Sequence, residues 1–84
     1  WSANEQSESQ RAAAETKAAL AAGNREYEQR FGFIFIICAT GKSAEEILDA
    51  LNGRLNNDSK TELRVAAEEQ RRITQLRLQK LLKN

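Results

Sequence analysis

The sequence predicts an all-α fold of three helices with one short extended apolar segment, Phe31 to Ala39, between the first and the second. Three features predict it. A serine followed three residues later by glutamate, the capping-box spacing, occurs at Ser2/Glu5, Ser43/Glu46 and Ser59/Glu62. Behind each box, apolar residues recur at helical spacing. Only the run FGFIFIICA departs from the Ala, Glu, Gln, Arg and Leu that favour helix elsewhere.

The first box opens a helix whose body, Ala12 to Ala22, is rich in alanine. Ala13, Leu20, Tyr27 and Phe31, spaced by seven, seven and four, put one side of it against a core. The stripe is weak in the alanine stretch. Gly23-Asn24 costs about 1 kcal/mol relative to alanine and is a place for the helix to kink or divide.

Of the nine residues from Phe31 to Ala39, seven are Phe, Ile or Cys and none is charged, so burial is expected. Phenylalanine and β-branched isoleucine favour extended backbone. Thr40-Gly41-Lys42 then reads as a turn.

The second helix follows Ser43 and carries Ile47, Leu48, Leu51 and Leu55 as an amphipathic stripe, ending near Asn56-Asn57. The third opens at Ser59 and runs to the end of the chain, with Glu68 and Arg72 spaced for an ion pair. Its core face is expected to be Leu63, Ala66, Ala67, Gln70, Ile73, Thr74, Arg77 and Leu81. Gln70 and Arg77 interrupt that face, two turns apart.

Eighty-four residues make one small domain that buries about 60–65% of its unfolded surface, leaving a thin stability margin. The chain starts at Trp1 and contains no Met, which points to a piece of something longer. Thirteen basic against twelve acidic residues, balanced in both halves, give no nucleic-acid footprint. The apolar run falls well short of the roughly 18–20 residues of a membrane span, and no signal-peptide pattern occurs. A soluble cytoplasmic protein is expected, with peroxisome as the alternative; Leu82-Lys83-Asn84 is not an SKL-type address.

The chain has no His, which argues against zinc sites and Ser-His chemistry. The single cysteine, Cys38, lies in the apolar run and reads as a small buried hydrophobe, because a reactive thiolate needs a base or cation beside it. Arg77 has two readings. Its guanidinium either reaches water or a structural glutamate, or faces a pocket and binds an anionic or carbonyl-bearing ligand. Glu5 has two readings as well: a cap partner, or a carboxylate that, with Ser2 and Gln6, orients a polar substrate.

Taken together, Ser2-x-x-Glu5-Gln6, Asn24-x-x-Tyr27-x-x-Arg30-Phe31-Gly32-Phe33, Ile36-Ile37-Cys38-Ala39 and Glu69-Gln70-x-x-Ile73-Thr74-x-Leu76-Arg77-Leu78 make a pattern. It resembles the 2-oxo-4-hydroxy-4-carboxy-5-ureidoimidazoline (OHCU) decarboxylases of urate breakdown, over essentially the whole chain. The resemblance implies that residues 1–84 are the C-terminal part of that family's all-helical domain, the second half of a single helical bundle whose upstream helices are missing here. It implies the last of three steps in urate oxidation, a decarboxylation to (S)-allantoin and carbon dioxide with no cofactor and no metal. It also implies a homodimer, and fusion to or pathway coupling with a transthyretin-like hydroxyisourate hydrolase.

By the same resemblance, Glu5 and Arg77 match the family's catalytic glutamate and arginine. Ser2 and Gln6 match substrate-binding residues, and Phe33, Phe35, Ile36 and Ile37 fall in the segment that lines the pocket. One departure stands out: the family's proton-handling histidine lies in an upstream Pro-His-Pro motif, and this chain contains neither His nor Pro. The alternative function is a non-catalytic helical interaction module or pseudoenzyme fragment.

Overall fold

The computed structural model describes the backbone of residues 2–83 and the side chains of residues 7–83. It consists of α1 (Ser2–Phe31), α2 (Ala44–Arg54) and α3 (Ser59–Leu82), with residues 32–43 as an irregular, largely extended connection. The capping residues expected at Ser2 and Glu5 have side chains outside the described ones.

α1 runs without interruption through Gly23-Asn24. The helix is not divided there because that glycine lies beneath Leu51: a Cβ at position 23 would sit 2.6 Å from Leu51 Cδ2. The missing side chain lets α1 and α2 approach closely. Thr16, Ala19, Leu20, Gly23, Tyr27 and Phe31 form the covered side of α1, whereas Ala13 is exposed. The expected stripe therefore holds from Leu20 onwards and fails before it. Gly32 ends the helix in the left-handed region, φ 83°, where its N–H bonds back to the Glu28 carbonyl.

The Phe31–Ala39 run is only partly covered, and Ile34 is 63% exposed. Full burial fails because an extended segment shows side chains to two sides, and among the described residues helices cover only one of them well. Gly41, at φ 76°, completes a tight turn in which Lys42 N–H bonds the Ala39 carbonyl.

Ser43 caps α2 in a complete capping box: its Oγ accepts from Glu46 N–H, and Glu46 accepts from Ser43 N–H. The Ile47, Leu48, Leu51 and Leu55 stripe is covered as expected, with Leu51 fully buried. Arg54 lies on that same side.

The third capping box does not form. Asp58 is the cap, accepting from Thr61 N–H at 2.7 Å, and Ser59 is already helical. Glu62 is drawn inward instead. The covered face of α3 is Glu62, Val65, Ala66, Glu69 and Ile73, while Leu63, Ala67, Gln70, Thr74, Arg77 and Leu81 are exposed. Gln70 bonds Thr74 at the surface. Glu68 pairs with Arg71, not with Arg72, which takes Glu69. The expected face is thus rotated, because two glutamates on the true face carry polar partners that no hydropathy pattern records.

Direct helix packing joins α1 to α2, and α3 is held chiefly by Glu62 and by the extended segment. The result is a flat body of 47 × 40 × 15 Å.

Candidate functional site

A groove of about 350 Å³ lies between the extended segment and the C-terminal half of α3. Ile37, Cys38, Ala39 and Thr40 form one wall; Ile73, Leu76, Arg77 and Lys80 form the other. A second hollow of about 320 Å³ shares Thr40, Leu76 and Lys80 and adds Gln79 and Lys83. Among the described residues, no carboxylate lines either one. Among the described residues, neither Arg77 nor Lys80 has an ion-pair partner. An apolar recess edged by cations suits a ligand that carries a carboxylate or an oxygen acquiring negative charge.

The wall is held from behind by two charged side chains. Arg54 Nη1 donates to the Ile36 carbonyl at 2.6 Å, and the Cys38 N–H donates to Glu69 Oε1 at 3.0 Å. These are the near-side groups of residues 36 and 38, so Ile37 is gripped on both flanks.

Arg54 belongs in turn to a buried polar node. Its Nε meets Glu62 Oε1 at 2.7 Å, and its Nη2 donates to the Tyr27 hydroxyl at 3.4 Å. The Tyr27 hydroxyl donates to Glu62 Oε1 and Asn57 Nδ2 to Glu62 Oε2. Glu62 is fully buried and every buried polar side-chain atom among the described residues has a partner. Burial works to raise the Glu62 carboxyl, but hydrogen bonds from Asn57, Tyr27 and Arg54, with the Arg54 charge, outweigh it and hold the group below the usual carboxylate range. Burial pushes the Tyr27 phenol up to about 12, helped by its bond to Glu62 and that residue's charge.

Aromatic rings close over the node. Phe31, Phe33 and Phe35 have centroids 4.6, 5.9 and 5.2 Å from that of Tyr27, and the Arg54 guanidinium lies 4.6 Å from the Phe35 centroid.

Arg77 and Ile37, both named from sequence, thus meet across the groove. Ile36 contributes its carbonyl to Arg54. Phe33 and Phe35 pack on Tyr27, away from the groove wall. The side chains of Ser2, Glu5 and Gln6 lie outside the described residues. Tyr27, Arg54, Asn57, Glu62 and Glu69 hold the site in shape without having been singled out for it. A sequence signal existed: Arg54 is seven residues from Ile47 on the stripe of the second helix, and Glu62 is four from Ala66 on the third, giving opposite charges on inward faces.

The family model described as OHCU decarboxylase matches residues 1–79. A uric acid degradation bifunctional protein of Arabidopsis thaliana is 52% identical over 62 residues, 74% of this chain and 19% of that protein. A 2-oxo-4-hydroxy-4-carboxy-5-ureidoimidazoline decarboxylase of Amia calva is 48% identical over 59 residues, 70% of this chain and 34% of that one. A crystal structure of OHCU decarboxylase in the presence of (S)-allantoin superposes with a TM-score of 0.83 at 46% identity, covering 84% of this chain and 50% of the other. The chain spans half or less of each of these relatives.

Proposed function

This chain belongs to the OHCU decarboxylase family, and from that premise we propose that it supplies the Arg77-bearing part of an active site that decarboxylates OHCU to (S)-allantoin and carbon dioxide. The observation that carries the reading is the position of Arg77 on a cation-edged groove that no carboxylate lines among the described residues, in a chain 46% identical to a decarboxylase crystallised in the presence of (S)-allantoin.

Loss of the carboxylate leaves an electron pair that must delocalise into the adjoining carbonyl or imine system of the substrate. Arg77 donates hydrogen bonds to the oxygen that gains this charge. Ile37, Ile73 and Leu76 exclude water, which favours departure of neutral carbon dioxide. Glu5 accepts from the ureido nitrogens, and Gln6 and Ser2 fix the ring. Phe33, Phe35 and Ile36 act in this reading as the support of the Ile37 wall. Protonation from a single face sets the S configuration, and the proton comes from the histidine of the family's upstream Pro-His-Pro segment. No metal or cofactor takes part.

Relatives named bifunctional uric acid degradation proteins occur in Arabidopsis thaliana and in Bacillus, which supports coupling to the preceding hydroxyisourate hydrolase step. Among the described residues no helix is long and apolar enough to cross a membrane. A cytoplasmic homodimer completes the proposal.

The test is circular dichroism of allantoin formed when urate oxidase and hydroxyisourate hydrolase feed fresh substrate to this chain, alone and extended upstream through a Pro-His-Pro segment. The extended chain is expected to give a rapid S signal, and residues 1–84 alone the spontaneous racemic background. Failure of the extended chain would favour the second reading, an interaction module. Leu63, Leu81 and Leu82, which are 61%, 72% and 84% exposed, are the observation on its side.

A further inference from the structure

We propose that Glu69 and Arg54 are positioning residues for the reaction: they fix the peptides that flank Ile37 and thereby set the groove wall opposite Arg77. The inference rests on the decarboxylase reading above and adds to it two residues that touch no substrate.

The extended segment has little else to hold it. Among the described residues, its backbone makes no hydrogen bond to another backbone group from Phe33 to Cys38, so no sheet partner defines its position. What it has instead are two side-chain bonds on one edge, Arg54 to the Ile36 carbonyl at 2.6 Å and Glu69 to the Cys38 N–H at 3.0 Å. Because the N–H and C=O of alternate residues point to the same side of an extended chain, both bonds grip one edge and turn the polar groups of Ile37 towards the other.

The two anchors come from different elements, and each is itself restrained. Arg54 is locked by the buried Glu62 and sits over the Phe35 ring. Glu69 is only 14% exposed and also meets Arg72 at 3.4 Å. Glu69 lies two turns before Arg77 on the same helix, so one rigid rod carries both the anchor of the wall and the guanidinium that faces it. A shift of the wall by about 1 Å relative to Arg77 is enough to misplace a bound substrate.

Glu69 is the residue to vary, since Arg54 also holds the core. Glu69→Gln keeps an oxygen that accepts from the Cys38 N–H; Glu69→Ala removes it. In the catalytically complete, upstream-extended protein, Glu69→Ala is expected to speed hydrogen exchange at the Cys38 amide about tenfold and to raise KM about tenfold, with kcat less affected and the thermal midpoint within a few degrees. Glu69→Gln is expected to restore both readouts to within about twofold. Faster exchange in Glu69→Ala with KM and kcat unchanged would overturn the proposal, as would unchanged exchange. A wild-type protein that makes no (S)-allantoin above background would instead overturn the decarboxylase reading, and this inference with it.

Discussion

The Tyr27 hydroxyl donates to Glu62 Oε1 at 2.5 Å, tying the last turns of α1 to the first turn of α3 across 35 positions of sequence. Arg54 joins the same carboxylate oxygen from the end of α2. All three helices therefore converge on one buried anion.

Removing that anion should be the most damaging single change in the chain. Glu62→Ala leaves the Arg54 guanidinium, 11% exposed, without a countercharge, at a cost of about 3–5 kcal/mol. Urea unfolding of the variant should show a collapsed transition, and Arg54→Ala the same. The pH response follows from the directions of the shifts. The Glu62 carboxyl is held below its unfolded value, so its contribution is complete above the ordinary carboxylate range and is lost as pH falls through the folded value. The Tyr27 phenol is raised, so its contribution is complete below about 10 and is lost as pH climbs towards about 12. A stability plateau between these limits, measured by the urea midpoint, checks both.

Gly23→Ala should destabilise the protein although alanine is the better helix former. Overpacking against Leu51 costs about 1–3 kcal/mol, against about 1 kcal/mol of helix propensity gained. In a double-mutant cycle with Leu51→Ala the two changes should be markedly less than additive, since the smaller partner removes the clash. Additive effects would place the cost of Gly23→Ala somewhere other than that contact.

Asp58→Ala should cost about 1 kcal/mol through loss of its bond to Thr61 N–H, whereas Ser59→Ala should stay within about 0.5 kcal/mol. The reverse order in thermal unfolding would return the cap of α3 to Ser59.

Arg77→Ala should lower turnover of the catalytically complete protein by about 10²–10³-fold while leaving the far-ultraviolet helical signal intact. Full activity in that variant would remove Arg77 from the chemistry and leave it as a solvated end of α3.

Elements carried by local signals were readable in advance. Ser43 and Glu46 specify the start of α2 by themselves, and the Leu51 stripe needs only helical spacing. Arg77 on the groove was one of two readings of a single polar intrusion. Helical spacing places Arg54 and Glu62 on inward faces, but which distant group each charge meets is set by how the helices pack and not by spacing. By hydropathy, Leu63 and Leu81 look like core and Glu62 and Glu69 like surface until Arg54, Tyr27 and the Cys38 amide are known to be their partners. Once they are, the inward face of α3 turns towards the glutamates. Gly23 was misread for a related reason, since its value lies in the neighbour it admits and not in its own propensity. Ala13 failed because a helix stripe requires something to lie against, and α1 has it only from Thr16 onwards among the described residues.

The node has a kinetic side as well. Helices and the Ser43 turn can form from neighbours in sequence within microseconds, but the Tyr27–Glu62 bond must wait for the intervening chain to close its loop. Folding should then proceed with α1 and α2 zipping together over Gly23 before α3 docks. Node substitutions should act mainly by hastening escape from the native state, steepening loss on the unfolding limb while the refolding limb barely moves.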